Sequence, residues 1–344
     1  MNSAGKVILK KMKALKYSDI VLIPSYSSCK SRSDCDTSVK ICGKKYRLPI
    51  IPANMKAVIS ERHCEWLSLN NYFYIMHRFD IDVEAFVDNA NRNNWPLVSI
   101  SLGVKQTDID LVNKFRSSGS KIDFITIDIA HGHSSLMKDM INHCNLKLPD
   151  TNIIAGNVAT PRGVRDLAAW GADIVKVGIG QGSPCTTKDK TGFTVPMFTC
   201  IQQCSNLTIE RPFLDELGDV YPYDSSIPII ADGGGSSNGD ISKALVAGAS
   251  LVMAGGLFAC CSDSPSHSIE IGGVLHKAYY GSASFENKKT RTHVEGTLKH
   301  VSSCGLPLRD KLIEVEEDIQ SAISYAGGKD ISVLNPKDVE YMEL

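Results

Sequence analysis

A cysteine in a glycine-rich segment is the residue of this chain best suited to covalent chemistry. Cys185 follows Gly178, Gly180 and Gly182, and two threonines and the cation of Lys188 come after it. Nearby cations favour the thiolate, which is the nucleophilic form of cysteine, and glycines let backbone approach a small ligand. The segment therefore predicts a nucleophilic cysteine. On these residues alone, a free cysteine in an ordinary glycine-rich turn is an equal alternative.

Two further glycine clusters could bind a phosphate group. They are ADGGG at 231–235 and AGG at 254–256. Consecutive backbone N–H groups with a helix N-terminus behind them hold an oxyanion without a basic side chain. Asp232 would then suit hydroxyl groups such as those of a ribose. Two tight turns are the alternative, but both clusters follow the strands after which barrels bind phosphate, so we favour phosphate.

Three other candidates give weaker signals. His131 and His133 resemble paired metal ligands, but no third ligand is near, so we do not expect a metal there. Glu295 lies in a glycine-flanked segment and could carry a proton, although a single exposed glutamate is usually only solvated. The carbonyls of the cysteine loop could surround a monovalent cation, which composition alone hardly supports.

Eight short segments rich in Ile, Val and Leu would position these residues. Continuous apolar runs of this length fit strands that are covered on both faces. The segments span 49–55, 72–76, 97–103, 124–130, 152–158, 174–180, 228–234 and 251–256. Helical patterns fill most of the gaps between them. The alternation predicts an α/β fold, a (β/α)8 TIM barrel, with an open doubly wound sheet as the alternative.

Three helices are predicted in detail. The first is capped by Thr160 and ends at Gly171, the second spans 240–248, and the third runs from 308 to the glycines at 327–328. We expect a single domain over 1–344. Around the barrel it should have an N-terminal extension (1–16) with little to pack, a catalytic loop (178–200) and a C-terminal flap plus helix (257–330). The flap has an irregular, polar sequence and could close over the barrel mouth.

The residues that follow each strand should meet at one mouth, because barrel active sites lie at the carboxyl ends of the strands. They are Asn54, His77, Arg78, Asp128, His131, Asn157, the loop 180–185, Asp232–Gly235 and Gly255–Gly256. The long gap at 181–227 follows the sixth strand and carries the cysteine. Long barrel loops are usually functional.

The composition narrows the class of protein. The formal net charge is −1 and 43% of the residues are hydrophobic, so nothing indicates a nucleic-acid or membrane partner. The eleven cysteines are irregularly spaced and form no CxxC pair, which favours a reduced, cytoplasmic protein. The N-terminus lacks the apolar stretch of a signal peptide, and no run is long enough for a membrane span.

Several segments together resemble the IMP dehydrogenase/GMP reductase family. They are GIGQGSPCTTK, ADGGG, AGNV, DIAHGHS, SRSDCDT and SYAGGKD. The resemblance extends from about residue 17 to residue 330, and the joint pattern is highly specific. It implies a (β/α)8 barrel, in agreement with the strand count.

Two features favour the compact bacterial-type reductase branch of that family. Only 25 residues separate the starts of the second and third strands, so the CBS modules of the dehydrogenases have no room there. The flap reads HVEGTLKHVSSCG and lacks the Arg-Tyr pair with which those dehydrogenases activate water. An IMP dehydrogenase without CBS modules and a non-catalytic purine nucleotide-binding protein stay as alternatives.

The resemblance implies a reaction and its participants. The thiolate of Cys185 would add to C2 of GMP, ammonia would leave, and NADPH would deliver hydride to the thioimidate to give IMP, a purine salvage reaction. Thr187 and Glu295 would move the proton of the leaving amine. A homotetramer and a potassium ion are the family's expectation.

The resemblance also implies the binding residues. Those for GMP are Asp232, Gly233, Gly234, Gly255, Gly256, Gly281, Ser282 and Ala283. Those for the nicotinamide cofactor are Ser31, Arg32, Arg78, Asp128, Ile129, Ala130, Ile179, Gly180, Ser321 and Ser324. Those for potassium are Gly180, Gly182, Cys185 and Lys188.

This chain departs from the family pattern in four places. Gln181 stands where the family has proline, Pro184 where it has an aliphatic residue, and Arg78 where it has lysine. Pro184 fixes the backbone before the nucleophile and could shift the loop. The acidic stretch 205–227 is longer than the family's, and no role is assigned to it.

Overall fold

A computed structural model describes residues 13–205, 207–214, 220–289 and 292–344 of this protein, which is built around seven parallel strands. The strands are β1 (Ile20–Leu22), β2 (Val39–Ile41), β3 (Lys44–Tyr46), β4 (Ile50–Pro52), β5 (Ser99–Leu102), β6 (Phe124–Asp128), β7 (Asn152–Val158), β8 (Ile174–Val177), β9 (Thr208–Leu214), β10 (Val220–Ser226), β11 (Ile229–Asp232), β12 (Leu251–Ala254), β13 (Ser268–Ile271), β14 (Val274–Tyr279), β15 (Lys299–Ser302) and β16 (Tyr341–Glu343). The helices are α1 (Glu61–Leu69), α2 (Val83–Arg92), α3 (Gln106–Ser118), α4 (Ser135–Lys147), α5 (Pro161–Ala169), α6 (Thr187–Thr191), α7 (Met197–Ser205), α8 (Asn238–Val246), α9 (Gly256–Ala259), α10 (Phe285–Lys288) and α11 (Leu308–Tyr325). Across these ranges, no helix is both long enough and apolar enough to cross a membrane.

The central sheet has the order β4-β12-β11-β8-β7-β6-β5, and every neighbouring pair is parallel. Its strands lie inside seven of the eight predicted segments. Strands β5, β8 and β12 are buried along their whole length, as expected of strands covered on both faces. The predicted (β/α)8 barrel class is therefore confirmed.

The second predicted strand, 72–76, is only a single bridge. The N–H of Met76 donates to Ser99 O (3.0 Å), and the N–H of Ser101 donates to Met76 O (2.9 Å). Before that point the chain is held by ring packing, with Phe73 4.9 Å from Phe124 between ring centroids. The run of aromatic residues predicted burial correctly, but burial does not require a hydrogen-bonded ladder.

The three detailed helix predictions hold, with one shifted start. The Oγ1 of Thr160 accepts the N–H of Gly163 at 3.1 Å and caps α5. Helix α11 buries its predicted apolar stripe. Helix α8 begins two residues earlier than predicted, because the Asp240 carboxylate accepts the N–H groups of Ser236 (2.8 Å) and Ser237 (3.2 Å) and extends the first turn.

The flap is more regular than predicted. Strands β13, β14 and β15 form an antiparallel sheet, and Gly272 and Gly273 turn between β13 and β14 with φ of 58° and 79°. Two successive positive φ values are typical of a tight hairpin turn. The glycine pair read as irregular is therefore a hairpin signal. The unassigned stretch 205–227 likewise holds a hairpin, β9–β10.

The N-terminal extension packs at its described end. Residues 1–12 lie outside the described part of the chain. Leu15 is only 4% exposed, and its N–H donates to Thr199 Oγ1 of α7 at 2.8 Å. Strand β1 then pairs with β16, which joins the two ends of the chain. The expectation that 1–16 has little to pack is wrong for Leu15.

Candidate active site

A hydrogen-bonded chain of three side chains lies at the carboxyl end of β8. The thiol of Cys185 donates to Thr187 Oγ1 at 3.1 Å, and Thr187 Oγ1 donates to Glu295 Oε2 at 2.6 Å. Cys185 is half-buried and lies outside the apolar core. A proton can therefore pass from the sulfur to a carboxylate through one hydroxyl.

Backbone bonds hold the flap against the cysteine loop. The N–H of Thr186 donates to Glu295 O (3.1 Å), and the N–H of Thr297 donates to Pro184 O (2.9 Å). Within the flap, the N–H of Glu295 donates to Ala283 O (3.0 Å). Proline has no backbone N–H, and the loop bonds to the flap through the carbonyl of Pro184. These bonds place the Glu295 carboxylate beside Thr187.

Gln181 joins the loop to two neighbours. Its carbonyl accepts the N–H of Gly234 at 3.0 Å, and its Nε2 donates to Thr194 Oγ1 at 2.5 Å. Thr194 Oγ1 in turn donates to Ile179 O at 2.8 Å. The residue that departs from the family pattern therefore closes the base of the loop. Because the Gly234 N–H is engaged there, its role in this structure is to join the two glycine loops.

A buried lysine lies between the two aspartates of the predicted mouth. Lys176 Nζ is 2.9 Å from Asp232 Oδ2 and 3.2 Å from Asp128 Oδ1. Asn157 Nδ2 also donates to Asp232 (2.8 Å), and Asn54 Nδ2 donates to Asp128 (2.9 Å). The network fixes both carboxylates at the carboxyl ends of their strands.

The charges in this network support one another. Burial alone would lower the pKa of Lys176, but the carboxylates of Asp128 and Asp232 outweigh it and raise that pKa above its usual value. Burial alone would raise the pKa of Asp128, but Lys176, Asn54 and Arg78 outweigh it and lower that pKa. Lys176 and Asp128 are therefore both charged near neutral pH.

The second glycine cluster lies under a tyrosine of the flap. A Cβ on Gly255 would stand 2.1 Å from Tyr279 Oη, so only glycine fits there. Burial, and then Asp232, raise the pKa of Tyr279, which stays a neutral hydroxyl donor. Helix α8 offers no open N-terminus to a phosphate, since Asp240 occupies its first turn. Of the two glycine clusters, the one at 254–256 therefore suits an oxyanion better than the one at 231–235.

Two of the remaining predicted substrate residues contact the cysteine loop. A Cβ on Gly233 would meet Gly182 N at 3.0 Å, and a Cβ on Gly281 would meet Pro184 at 3.8 Å. Ser282 O accepts from Asn287 Nδ2 at 2.9 Å, and Gly256 begins α9. Gly233 and Gly281 of the predicted GMP set therefore lie against the cysteine loop.

Ile179 and Gly180 of the predicted cofactor set lie in the cysteine loop, and the other predicted cofactor residues fall into two groups. In one, Arg78 Nη2 donates to Asp128 O at 3.2 Å beside a cavity of about 660 Å³, and Ile129 and Ala130 continue from β6. In the other, Arg32 reaches Ser321 Oγ (3.4 Å) from a short 3₁₀ helix, Arg32–Asp34. Ser31 precedes this helix and Ser324 lies on α11. The second group contacts α11 rather than the cysteine loop.

Backbone oxygens decide whether the cysteine loop suits a monovalent cation, since uncharged carbonyls bind such ions. Gly180 has φ of 72°, and the N–H of Cys185 donates to Gly182 O at 3.0 Å, leaving a lone pair on that oxygen. Lys188 O accepts from Gly192 N at 3.0 Å, and its ammonium has no lone pair. Lys188 could contribute only through its carbonyl oxygen, which accepts one hydrogen bond as Gly182 O does, so a potassium site at Gly180, Gly182, Cys185 and Lys188 stays a prediction.

The two histidines of the HGH segment have separate surroundings. His133 Nε2 is 2.6 Å from Asp166 Oδ2, and His131 is exposed. In the described ranges, no three His, Cys, Asp or Glu side chains are grouped so as to hold a metal ion.

Sequence reasoning missed Lys176 and Tyr279. The signal for Lys176 was a charged residue inside a fully buried apolar strand, IVKV. A lysine is almost never buried without a partner, so it indicated carboxylates nearby. Tyr279 carried no comparable signal, because its position over Gly255 depends on how the flap folds.

Comparison with known proteins identifies the family of this chain. The profile of the "IMP dehydrogenase / GMP reductase domain" matches residues 14–343. A GMP reductase of Acidovorax ebreus is 45% identical over 97% of each chain. A GMP reductase of Albidiferax ferrireducens is 44% identical over 97% of each chain. A GMP reductase of Staphylococcus carnosus is also 44% identical, over 95% of this chain and 96% of its own. With its barrel, its cysteine loop and these relatives, the chain belongs to the IMP dehydrogenase/GMP reductase family.

Proposed function

We propose that this enzyme is a GMP reductase that uses NADPH to convert GMP to IMP and ammonia. The observation that carries the proposal is the chain from Cys185 through Thr187 to Glu295, at 3.1 and 2.6 Å. The relatives named GMP reductase, which align over nearly the whole chain, support it.

The proposed first half-reaction uses the proton path in both directions. Glu295 receives the thiol proton through Thr187, and the Cys185 thiolate attacks C2 of the purine. The same path returns the proton to the 2-amino group, which leaves as ammonia and gives a thioimidate on Cys185. Covalent capture divides one difficult displacement into two easier steps.

The second half-reaction releases the product. NADPH, when bound, supplies hydride to C2. The sulfur of Cys185 then departs as a thiolate, IMP forms, and the thiol is reprotonated from solvent. Asp232 would hold the ribose hydroxyls, and the Tyr279 hydroxyl with the Gly255 and Gly256 backbone would hold the phosphate.

Two observations support a reductase over a dehydrogenase. Residues 77–98 contain helix α2 and no inserted module, which suits the compact branch. The flap sequence from His293 to Gly305 has no Arg-Tyr pair to activate water. A reductase needs no such water, because hydride consumes the intermediate.

We further propose the finer features of the enzyme. The charged and hydroxyl groups of Arg78, Arg32 and Ser321 suit a phosphorylated dinucleotide. A potassium ion at the loop carbonyls, a homotetramer and a role in purine salvage follow from the family resemblance. The eleven cysteines all lie in the described ranges and none of them forms a disulfide bond there, which supports a cytoplasmic location.

A paired assay tests the proposal. The enzyme is given GMP with NADPH, or IMP with NAD, each in potassium and in sodium buffer. We expect loss of nicotinamide absorbance and IMP formation only in the first mixture, and neither with Cys185→Ala. NADH formation from IMP would instead indicate a dehydrogenase, and binding of GMP without any turnover would indicate a non-catalytic protein.

A further inference from the structure

Two cysteines outside the proposed reaction lie side by side near the N-terminus. The Sγ atoms of Cys29 and Cys35 are 3.6 Å apart. Since a disulfide bond is about 2.05 Å long, the two sulfurs need to approach by only about 1.6 Å. Cys29 is half-buried, so a small oxidant can reach it, whereas Cys35 is 4% exposed.

The fold holds the two thiols together. Upstream, the N–H of Ser25 donates to Tyr325 O at 2.8 Å, and downstream the N–H of Asp36 donates to Lys329 O at 2.9 Å. Between these anchors, the N–H of Cys35 donates to Arg32 O at 3.0 Å. The chain between the cysteines is therefore fixed at both ends on α11 and the turn after it. Such positioning gives the thiols a high effective concentration.

Arg32, which lies between the two cysteines in the sequence, contacts α11. Its Nη2 donates to Tyr325 Oη at 3.2 Å, and its guanidinium carbon lies 5.1 Å from the centre of that ring. The Cys29 thiol donates to Ser31 O at 2.9 Å. Movement of the Cys29 sulfur therefore acts on the backbone that carries Ser31 and Arg32.

We propose that Cys29 and Cys35 are a modification site, a pair that forms a reversible disulfide and thereby weakens binding of the dinucleotide cofactor. The effect on the cofactor rests on the proposed function, because Ser31 and Arg32 are cofactor residues only there. The bond itself does not.

The chemistry balances with hydrogen peroxide as oxidant. The Cys29 thiolate attacks one peroxide oxygen and becomes a sulfenic acid, releasing water after protonation. The Cys35 sulfur then displaces the sulfenic oxygen as a second water. The two thiols lose two electrons and two protons, and the O–O bond is reduced. Burial, and then the bond to Cys29, raise the pKa of Cys35 to about 11, which disfavours Cys35 as the thiol that attacks peroxide first.

Peptide mapping tests the bond without any turnover. Lys30 and Arg32 lie between the cysteines, so trypsin separates them and a disulfide would join peptide 17–30 to peptide 33–40. After peroxide treatment and alkylation, we expect this joined species, lost on reduction and absent in Cys35→Ser. Cys42→Ser is the matched control, since Cys42 is exposed seven residues further on, and it should leave the species unchanged. Recovery of both peptides alkylated and separate, when Cys42 or Cys304 is oxidised, would overturn the proposal.

A kinetic arm tests the consequence. Oxidised and reduced enzyme are compared with Cys29→Ser given the same peroxide, which accounts for any damage at Cys185. We expect the KM for NADPH to rise at least about threefold in the parent only, with the KM for GMP unchanged. A joined peptide with an unaltered KM would overturn the effect on the cofactor. Absence of reductase activity in reduced enzyme would overturn the proposed function and leave the mapped bond standing.

Discussion

Three side chains of ordinary type become a proton path because each bonds the next. The Cys185 thiol meets Thr187, and Thr187 meets Glu295 from a different part of the chain. Removal of any member breaks the same path. Their effects on the rate should therefore not add.

The first prediction is a double-mutant cycle on this path. Thr187→Ala and Glu295→Gln should each lower kcat for ammonia release by roughly 10²–10⁴-fold, the usual contribution of positioned proton transfer. The double variant should lose little more than the worse single variant. Rapid-quench measurement of ammonia release checks this.

A matched control comes from the same flap. Glu270 is exposed on β13, so Glu270→Gln should keep the parental rate. Multiplicative losses in the double variant, or full rates in both single variants, would contradict the shared path.

The second prediction concerns Lys176. Replacement by Met removes the buried ammonium, which is 3% exposed, from between the partly buried carboxylates of Asp128 and Asp232, so the free energy of unfolding should fall by about 3–5 kcal/mol. The KM for GMP should also rise, because Asp232 loses the ammonium that holds it. Urea unfolding and initial rates measure the two effects.

An exposed ion pair provides the control for that change. Lys114 pairs with Glu84 at 2.7 Å on the surface, so Lys114→Met should lower the free energy of unfolding far less than Lys176→Met and leave the KM unchanged. Equal losses in the two variants would contradict the role given to burial.

The role of a site residue was predictable from the sequence where its partners are close neighbours in the chain. Cys185 and Thr187 are two positions apart, so the loop motif indicated both. Lys176 and Tyr279 depend on partners brought by distant strands and by the flap, which no local pattern displays. The possible shift of the loop by Pro184 stays a prediction, and the Pro184 carbonyl accepts the N–H of Thr297 at 2.9 Å.

At the scale of elements, the flap positions Glu295 by a close backbone approach. A Cβ on Gly296 would lie 3.1 Å from Ser284 N and 3.2 Å from Ser284 Cβ. These contacts are tighter than usual, so a larger residue must move the flap by a few tenths of an ångström.

The third prediction follows from that approach. Gly296→Ala should lower kcat by about 10- to 100-fold, since small misplacements of catalytic groups are costly. Gly239→Ala is the control, because a Cβ there meets only Ser237 Oγ at 3.8 Å. Steady-state rates of both variants check this, and an unchanged kcat in Gly296→Ala would show that the flap is not held by this contact.

Element prediction succeeded where periodicity was strong. The seven confirmed strands are continuous apolar runs, and α5 and α11 have both a cap or stop and an apolar stripe. The flap hairpin was missed because polar, glycine-rich residues were read as loop, although Gly272 and Gly273 are ideal for a tight turn. The segment 72–76 was predicted as a strand because it is apolar and aromatic, but such residues require burial and not a hydrogen-bonded partner strand.

On the scale of the whole molecule, the closed core holds a histidine uncharged. His77 is 4% exposed near the barrel mouth. Burial, and then the nearby Lys56, lower its pKa from 6.5 to about 4. The unfolded chain therefore binds a proton that the folded protein excludes between these two values.

The fourth prediction is the resulting pH dependence. The contribution of His77 to the free energy of unfolding is fully present above the pKa that His77 has in the unfolded chain. It is lost as the pH falls towards the pKa that His77 has in the folded protein. Between about pH 7 and about pH 5, the parent should lose about 2 kcal/mol more free energy of unfolding than His77→Gln. Urea titrations of both proteins at the two pH values measure it, and parallel losses would mean that His77 does not contribute.

The most direct test of the central claim is to trap the covalent intermediate. Enzyme turning over labelled GMP and NADPH is quenched in acid and digested with trypsin, which releases Cys185 in peptide 177–188. The account predicts that the label, without the 2-amino group, travels with this peptide and is absent from Cys185→Ala. Label on any other peptide, or turnover with no covalent label at all, would contradict it.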